Sequence, residues 1–264
     1  MAHVVVMQHI TKEMIDKFIG ELRIRNYELG SKLYGMKKFF LVYGAAYLLL
    51  LVFLLGLQFV YPKLELHMLL NSYHTRLQDL FFKYYSMMAE GPLYVLALLP
   101  ILWKQVRMTV FFAVCELTGG GLLQILKHLI SMPRPQSAFE SAPDMVLPVV
   151  EGVSLHSSNS FPSGHASTFF VFFTCLALFL AYRHLCRVKE HKAKPCVLFY
   201  GALLLTLLLA ALGAYSRVYL SQHFLSDVCM GSVIGFLTPC LMFYFLKDKI
   251  LKLKTKASVA DSAS

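Results

Sequence analysis

Several uninterrupted apolar runs constrain the fold of this chain more than any other feature. A run of about 20 apolar residues is long enough, as a helix, to cross the hydrocarbon layer of a bilayer, and a soluble core does not need such runs. The composition agrees, because 57% of the 264 residues are hydrophobic and only 15% are charged. We therefore expect an all-α, polytopic membrane protein with six transmembrane helices in a bundle.

The apolar runs and their boundaries divide the chain into three parts: an amphipathic N-terminal segment at 1–37, a six-span domain at 38–246 and a basic tail at 247–264. An amphipathic stretch leads into the second span, where Gly91-Pro92 predicts a kink or a late start. A polar, extramembrane loop at 131–160 joins the third and fourth spans. We expect the tail to be frayed. The predicted spans lie near 38–61, before 103, and near 108–130, 165–182, 196–215 and 226–246.

The basic residues indicate how the spans are oriented. Nineteen of the 25 Lys and Arg residues lie in one set of connecting segments, which include both termini. The positive-inside rule therefore predicts cytoplasmic termini, and the net charge of +10 needs no nucleic acid to explain it. The six basic residues on the opposite, outer side are Lys63, Arg76, Lys83, Lys127, Arg134 and Arg217.

Two further patterns limit the possibilities. The six cysteines include no close C-x-x-C pair, so we predict neither a metal site nor a disulfide framework. Residues 1–10 lack a basic region, and no small-residue cleavage site follows, so we expect no cleavable signal.

The predicted orientation brings ionisable side chains from four span boundaries to one face of the membrane, independently of any motif. Charged groups at such boundaries are costly and are therefore functional candidates. These side chains are Lys127, Arg134, His165, Arg217, His223 and Asp227.

The basic members of this set suit a phosphoryl group. Lys127, Arg134 and Arg217 supply charge and forked donors to non-bridging phosphate oxygens, where negative charge grows in the transition state. Pro162 predicts a helix start, so the backbone N–H groups of Ser163 and Gly164 and the Ser163 hydroxyl add donors.

The remaining members suit covalent phosphoryl transfer. Asp227 can accept from one ring nitrogen of His223 and leave the other as a nucleophile that attacks phosphorus. His165 then protonates the leaving oxygen and activates the water that hydrolyses the phosphohistidine. This chemistry requires no metal and no cofactor.

These residues fall into three motifs, Lys127-x6-Arg134-Pro135, Pro162-Ser163-Gly164-His165 and Ser216-Arg217-x5-His223-x3-Asp227. Their order and spacing resemble the signature of the type-2 phosphatidic acid phosphatase superfamily. The resemblance implies the roles given above for each matching residue. It also implies a membrane lipid phosphate or diphosphate as substrate. The charge bias predicts a site on the outer, periplasmic or luminal, face, and we expect a bacterial inner-membrane enzyme.

The sequence leaves the substrate open among phosphatidic acid, phosphatidylglycerophosphate, undecaprenyl diphosphate and lipid A phosphates. The loop before Phe161 is our candidate for the segment that recognises the lipid headgroup. A lipid phosphotransferase would use the same site, a vanadate-dependent haloperoxidase would share the signature, and a non-enzymatic lipid carrier or channel would share the bundle. Oligomeric state cannot be predicted.

Other polar residues in or near the spans have structural interpretations. Glu116 lies within the third span and is expected to form a buried structural hydrogen bond, and Gly119-Gly120-Gly121 is expected to allow close helix packing. Glu90 is placed at an interface. Aromatic-belt anchoring is expected for Tyr215 and Tyr219, and ordinary interface or loop positions are expected for His67, His74, His128 and His156.

Overall fold

A computed structural model describes residues 39–104, 106–189 and 197–260, together with residues 16 and 20. The predicted amphipathic segment at 1–37 therefore lies almost wholly outside the described residues. The described part is all-helical, as predicted. Its helices are α1 (Phe40–Val60, π-helical over Phe40–Gly44), α2 (Lys63–Leu70), α3 (Arg76–Met87), α4 (Gly91–Lys104), α5 (Val106–Leu129), α6 (Pro135–Glu140), α7 (Gly164–Lys189), α8 (Val197–Tyr219) and α9 (Leu225–Ala260).

Within the described residues, five helices contain segments that are long and apolar enough to cross a membrane. The segments agree with the predicted spans, and α9 continues as a helix to Ala260 through the tail that we expected to be frayed. They are Phe40–Val60, Val106–Leu129, Gly164–His184, Val197–Tyr219 and Leu225–Leu246.

The predicted second span is divided between two helices. α3 ends at Met87, and α4 begins at Gly91, the late start that the Gly-Pro pair predicts. With 14 residues, α4 is about 21 Å long, shorter than the apolar layer of about 30 Å. The carboxyl ends of α1 and α5 both lie at the end of the bundle that carries the predicted site. The chain must therefore return between them, and α3 and α4 make this passage.

Close packing of α7 on α9 sets the relative position of two predicted site segments. A Cβ atom at Gly231 would overlap the carbonyl oxygen of Ser163, and one at Gly235 would overlap that of Ser167. Small residues four apart allow this kind of backbone approach between membrane helices. In the predicted glycine run, Gly119 alone has atoms within 4 Å of an added Cβ, so the glycines that align the site are on α9.

Several polar groups inside the apolar layer are paired across helices. The hydroxyl of Tyr43 lies 3.3 Å from that of Thr174, and the hydroxyl of Tyr47 lies 3.1 Å from that of Ser232. The Thr168 hydroxyl donates to Glu116 at 2.6 Å, which is the structural hydrogen bond expected for this acid. Such pairs stabilise one packing arrangement because an unpaired polar group in lipid is costly.

Candidate active site

The predicted site residues meet at one end of the bundle. Lys127 lies in the last turn of α5 and Arg217 in the last turn of α8, while His165 lies in the first turn of α7. His223 and Asp227 flank the start of α9. Adjacent antiparallel helices bring two carboxyl ends and two amino ends together there. The charged groups within electrostatic range of His165 are Arg217, His223, Lys127 and Arg134.

The His223–Asp227 pair differs in detail from the expected direct hydrogen bond. Nδ1 of His223 lies 3.6 Å from Oδ2 of Asp227, just beyond hydrogen-bond length. The hydroxyl of Ser160 donates to the same carboxylate oxygen at 2.5 Å and lies 3.5 Å from His223 Nδ1. The three atoms form a triangle, so the Ser160 hydroxyl lies beside the two residues that the sequence paired and is within reach of both.

Asp227 is fully buried and held by several donors. The backbone N–H of Phe224 donates to Oδ2 at 2.9 Å, and the Ser226 hydroxyl donates to Oδ1 at 3.2 Å. The backbone carbonyl of Asp227 accepts the N–H of Ser163 at 2.9 Å. The Ser163 amide is thus already engaged, which departs from the prediction that it faces a phosphate. The Ser163 hydroxyl accepts the N–H of Ala166 at 3.4 Å and keeps its own hydrogen to donate.

Arg217 is buried, with 6% of its surface exposed, and its guanidinium is incompletely paired. Nη1 donates to the hydroxyl of Ser86, at the end of α3, and Nε is buried without a hydrogen-bond partner. Glu90 is the negative charge within its electrostatic range. An arginine buried with an unused donor is prepared to receive an anion, since such a donor is costly when left unpaired.

Arg134 both faces the site and closes the loop that covers it. Its Nε donates to the carbonyl of Ser158 at 2.8 Å, and its Nη1 donates to the carbonyl of Gln222 at 3.0 Å. The loop is fixed further because the Gln222 side chain donates to the carbonyl of Ser154 at 3.0 Å. Burial lowers the pKa of Arg134, and the charge of Asp227 partly offsets this effect. The remaining guanidinium N–H groups are free to bind a ligand.

The cluster has an excess of positive charge. Among the ranges described, Lys127, Arg134 and Arg217 form no salt bridge with a carboxylate. Nε2 of His165 is buried and has no hydrogen-bond partner. These groups are held together at an energetic cost that a bound anion would offset, because like charges repel and their donors lack acceptors.

His223 is suited to act as a neutral nucleophile. Burial lowers its pKa to about 4, with the nearby Asp227 carboxylate acting in the opposite direction and the charges of Arg134 and Arg217 lowering it further. The imidazole is therefore uncharged near pH 7. With Nδ1 facing Ser160 and Asp227, Nε2 keeps a free lone pair.

Several residues that contact the site were missed by sequence reasoning. Ser160, Ser86 and Gln222 are buried hydrogen-bonding partners of predicted site residues. Ser160 lies two positions before Pro162, and Gln222 lies between Arg217 and His223 in the third motif. Serine and glutamine are common in loops, so neither residue stands out in the sequence. Ser86 lies about 130 positions from Arg217, and only the fold brings them together.

Two histidines for which the sequence indicated no partner have one. His67 is 1% exposed, and its Nε2 lies 3.1 Å from the hydroxyl of Ser221, which donates to the carbonyl of Pro148 at 2.6 Å. His74 lies 2.9 Å from Asp79, which also accepts the hydroxyl of Tyr219. Tyr219 is thus a buried hydrogen-bonding residue in this structure, whereas aromatic-belt anchoring was expected.

Two cavities lie beside the turn that carries His223. One, of about 170 Å³, is lined by residues that include Lys63, His67 and Ser226. The other, of about 150 Å³, lies deeper among apolar side chains of α1, α8 and α9, and Leu225 lines both.

Comparison with known proteins identifies the same part of the chain. The family model described as "PAP2 superfamily" matches residues 108–251, which contain all three motifs. The chain is 31% identical over 157 residues to the phosphatidylglycerophosphatase B of Bacillus subtilis (strain 168). That alignment covers 58% of this chain and 63% of the relative, so it spans less than two thirds of the relative's length.

Two solved structures share the fold. Aquifex aeolicus LpxE has 23% sequence identity and a TM-score of 0.51, with 69% of this chain and 94% of that chain covered. The transmembrane PAP2-type phosphatidylglycerolphosphate phosphatase from Bacillus subtilis has 20% identity and a TM-score of 0.51, with 77% and 96% covered. At identities below 25%, the likeness shows a shared arrangement of helices and nothing further.

Proposed function

The chain belongs to the PAP2 superfamily, and we propose that it is an integral-membrane phosphatase that hydrolyses a phosphomonoester or diphosphate of a membrane lipid. The proposal is based on one observation. Lys127, Arg134 and Arg217 lie at the same end of the bundle as the buried His223, and within the described chain none of the three forms a salt bridge with a carboxylate. Three cations around one nucleophile match the charge and shape of a phosphoryl group.

In the first step, Nε2 of His223 attacks phosphorus, a nitrogen–phosphorus bond forms and the bond to the leaving oxygen breaks. His165 gives its proton to that oxygen. In the second step, His165 takes a proton from water, the water oxygen attacks phosphorus, and inorganic phosphate leaves as His223 is regenerated. The basic side chains bind the non-bridging oxygens throughout, and Asp227 stabilises the positive imidazole.

The donors assigned to phosphate are the side chains of Lys127, Arg134 and Arg217, the amide of Gly164 and the hydroxyl of Ser163. The Ser163 amide is omitted because it already bonds to Asp227. Since these donors supply the positive charge, the reaction is proposed to run without a divalent metal.

The substrate is proposed to keep its apolar tail in the bilayer and approach laterally. Phosphatidylglycerophosphate is the first substrate to test, because the relative of Bacillus subtilis is named for it. The charge bias of the connecting segments supports cytoplasmic termini and an outer, periplasmic site in a bacterial inner membrane. The division into a segment at 1–37, a phosphatase domain at 38–246 and a tail at 247–264 belongs to the same proposal.

The test is a panel assay with purified protein in nanodiscs. Phosphatidylglycerophosphate, phosphatidic acid, undecaprenyl diphosphate and a lipid A phosphate are each supplied, and both free phosphate and lipid products are measured. We expect the wild-type protein to release phosphate and the His223→Ala protein to release none. Vanadate should inhibit the release, and chelators should not. Phosphate transfer to a second lipid would indicate a phosphotransferase. Strict dependence on a divalent ion, or undiminished release by His223→Ala, would contradict the mechanism.

A further inference from the structure

Ser160 occupies a position that neither the motifs nor the mechanism above uses. It is fully buried in the loop just before Phe161, and its backbone N–H donates to the carbonyl of Met132 at 2.9 Å. The loop therefore fixes this serine independently of the helices that carry His223 and Asp227. Its hydroxyl is within hydrogen-bonding range of both residues.

Counting hydrogens determines the direction of these bonds. A serine hydroxyl has one hydrogen, and a carboxylate can only accept. The hydrogen of Ser160 is therefore given to Oδ2 of Asp227, at 2.5 Å. The serine oxygen has only lone pairs left for His223, so a hydrogen bond between them, across 3.5 Å, requires the hydrogen to be on Nδ1 of His223. The resulting chain runs from His223 Nδ1–H to Ser160 and from Ser160 to Asp227.

We propose that Ser160 is a positioning residue that fixes the Asp227 carboxylate beside His223 and, with it, holds the imidazole in the tautomer whose Nε2 can attack. The proposal rests on the proposed function for its kinetic consequences. Ser160 does not touch the reacting atoms. During attack the proton stays on Nδ1, the new bond forms at Nε2, and the growing positive charge of the ring is stabilised by the Asp227 carboxylate, which the Ser160 hydroxyl holds in place.

His223 Nδ1 lies at nearly the same distance from Ser160 and from Asp227, so the direct pair is no closer than the contact with the serine. His223 Nδ1 and Asp227 Oδ2 are 3.6 Å apart, and that carboxylate oxygen already accepts from Ser160 and from the N–H of Phe224. A carboxylate oxygen with two strong donors is less available to a third. Without Ser160, the imidazole would be free to take the other tautomer, with its lone pair at Nδ1.

The first test reads the tautomer directly. Histidine-labelled protein in nanodiscs is studied by ¹⁵N NMR, and the His223 signals are assigned by their loss in His223→Ala. We expect a hydrogen on Nδ1 in the wild-type protein and a mixture of tautomers in Ser160→Ala. An unchanged Nδ1–H tautomer in Ser160→Ala would show that Asp227 suffices, and would overturn the proposal. This readout does not depend on the substrate.

The second test is a double-mutant cycle on phosphate release. Ser160→Ala is expected to lower kcat by about 10–100-fold and to change KM by less than about threefold. If Ser160 acts through Asp227, adding Ser160→Ala to Asp227→Asn should cost less than about threefold more. Additive losses would indicate a merely structural role. Ser160→Thr, which keeps the hydroxyl, should recover most of kcat.

Ser226→Ala is the matched control, because it also removes one hydroxyl from the Asp227 carboxylate but makes no described contact with His223. It should keep the wild-type tautomer, and a tautomer change as large as that of Ser160→Ala would contradict the proposal. If the wild-type protein hydrolyses no lipid phosphate, the proposed function fails, while the NMR measurement still decides the role of Ser160.

Discussion

His67 and His223 are two buried histidines with nearly the same immediate surroundings. Each is at most 2% exposed, and burial lowers the pKa of each to about 4. One ring nitrogen of each faces a serine hydroxyl, at 3.1 Å for His67 and 3.5 Å for His223. Burial and a lowered pKa therefore do not identify the nucleophile in this protein.

The two histidines differ in the group that accepts the hydrogen of the neighbouring serine and in the charges around the ring. Behind His67, Ser221 donates to the neutral carbonyl of Pro148, and the rings of Phe139 and Phe224 pack against the imidazole. Ser160, next to His223, donates to the carboxylate of Asp227, and Arg134 and Arg217 lie within electrostatic range of the His223 ring. In the proposed mechanism, the close carboxylate and the two arginines beside His223 distinguish this histidine from His67.

His223→Ala should give the largest effect. Removal of the nucleophile should lower kcat by about 10⁴-fold or more, because nucleophile and general base act as one unit. The purified variant should elute as the wild type does and melt within a few degrees of it. Phosphate release is measured at saturating substrate. Activity within about tenfold of the wild type would remove the assigned difference between the two histidines.

Lys127→Ala should have the next largest effect, a loss of about 10²–10³-fold in kcat, which is the scale of losing one transition-state donor. The same substitution at Arg76, an exposed outer basic residue at the start of α3, is the control and should change activity by less than about threefold. Equal losses at both positions would indicate a general surface-charge effect.

His67→Ala should change stability more than activity. It removes a buried hydrogen bond and leaves a cavity, so the melting temperature should fall by several degrees, which corresponds to a loss of about 1–3 kcal/mol. The activity per folded molecule should stay within about threefold of the wild type. A loss of turnover comparable with that of His223→Ala, at an unchanged melting temperature, would place His67 in the reaction.

The smallest expected effect is on the pH dependence of stability, and it should be the same for both histidines. Each has a pKa of about 4 when folded and an ordinary value near 6.5 when unfolded. The unfolded chain therefore binds more protons between these values. The stability due to each neutral histidine is fully present above about pH 6.5 and is lost as the pH falls towards 4.

Each alanine variant should accordingly flatten the fall in melting temperature between pH 6.5 and 4. One histidine contributes at most about 1.4 kcal/mol per pH unit to this slope. Melting curves of wild type, His67→Ala and His223→Ala across this range provide the measurement. A change in only one variant would mean that the two rings do not share the same protonation state.

The sequence predicted the helix boundaries, and the meeting of Lys127, His165 and Arg217 at one end of the bundle, better than the connections between the helices. Apolar runs and charge bias are local properties, so they placed Lys127, His165 and Arg217 at the same face without knowledge of the packing. The contacts of Ser160, Ser86 and His67 depend on how a loop and two short helices fold over the bundle. Gly231 and Gly235 were not singled out because glycines four apart become informative only when the facing helix is known.

The direct test is to trap the covalent intermediate. His165→Ala protein is mixed with a lipophilic aryl phosphate, whose leaving group needs little protonation, and is quenched in alkali, where a phosphohistidine survives. We predict a phosphorylated peptide that contains His223, with the same label lost in acid and absent from His223→Ala. Phosphate release without any label on His223, or label on another residue, would contradict nucleophilic attack by this histidine.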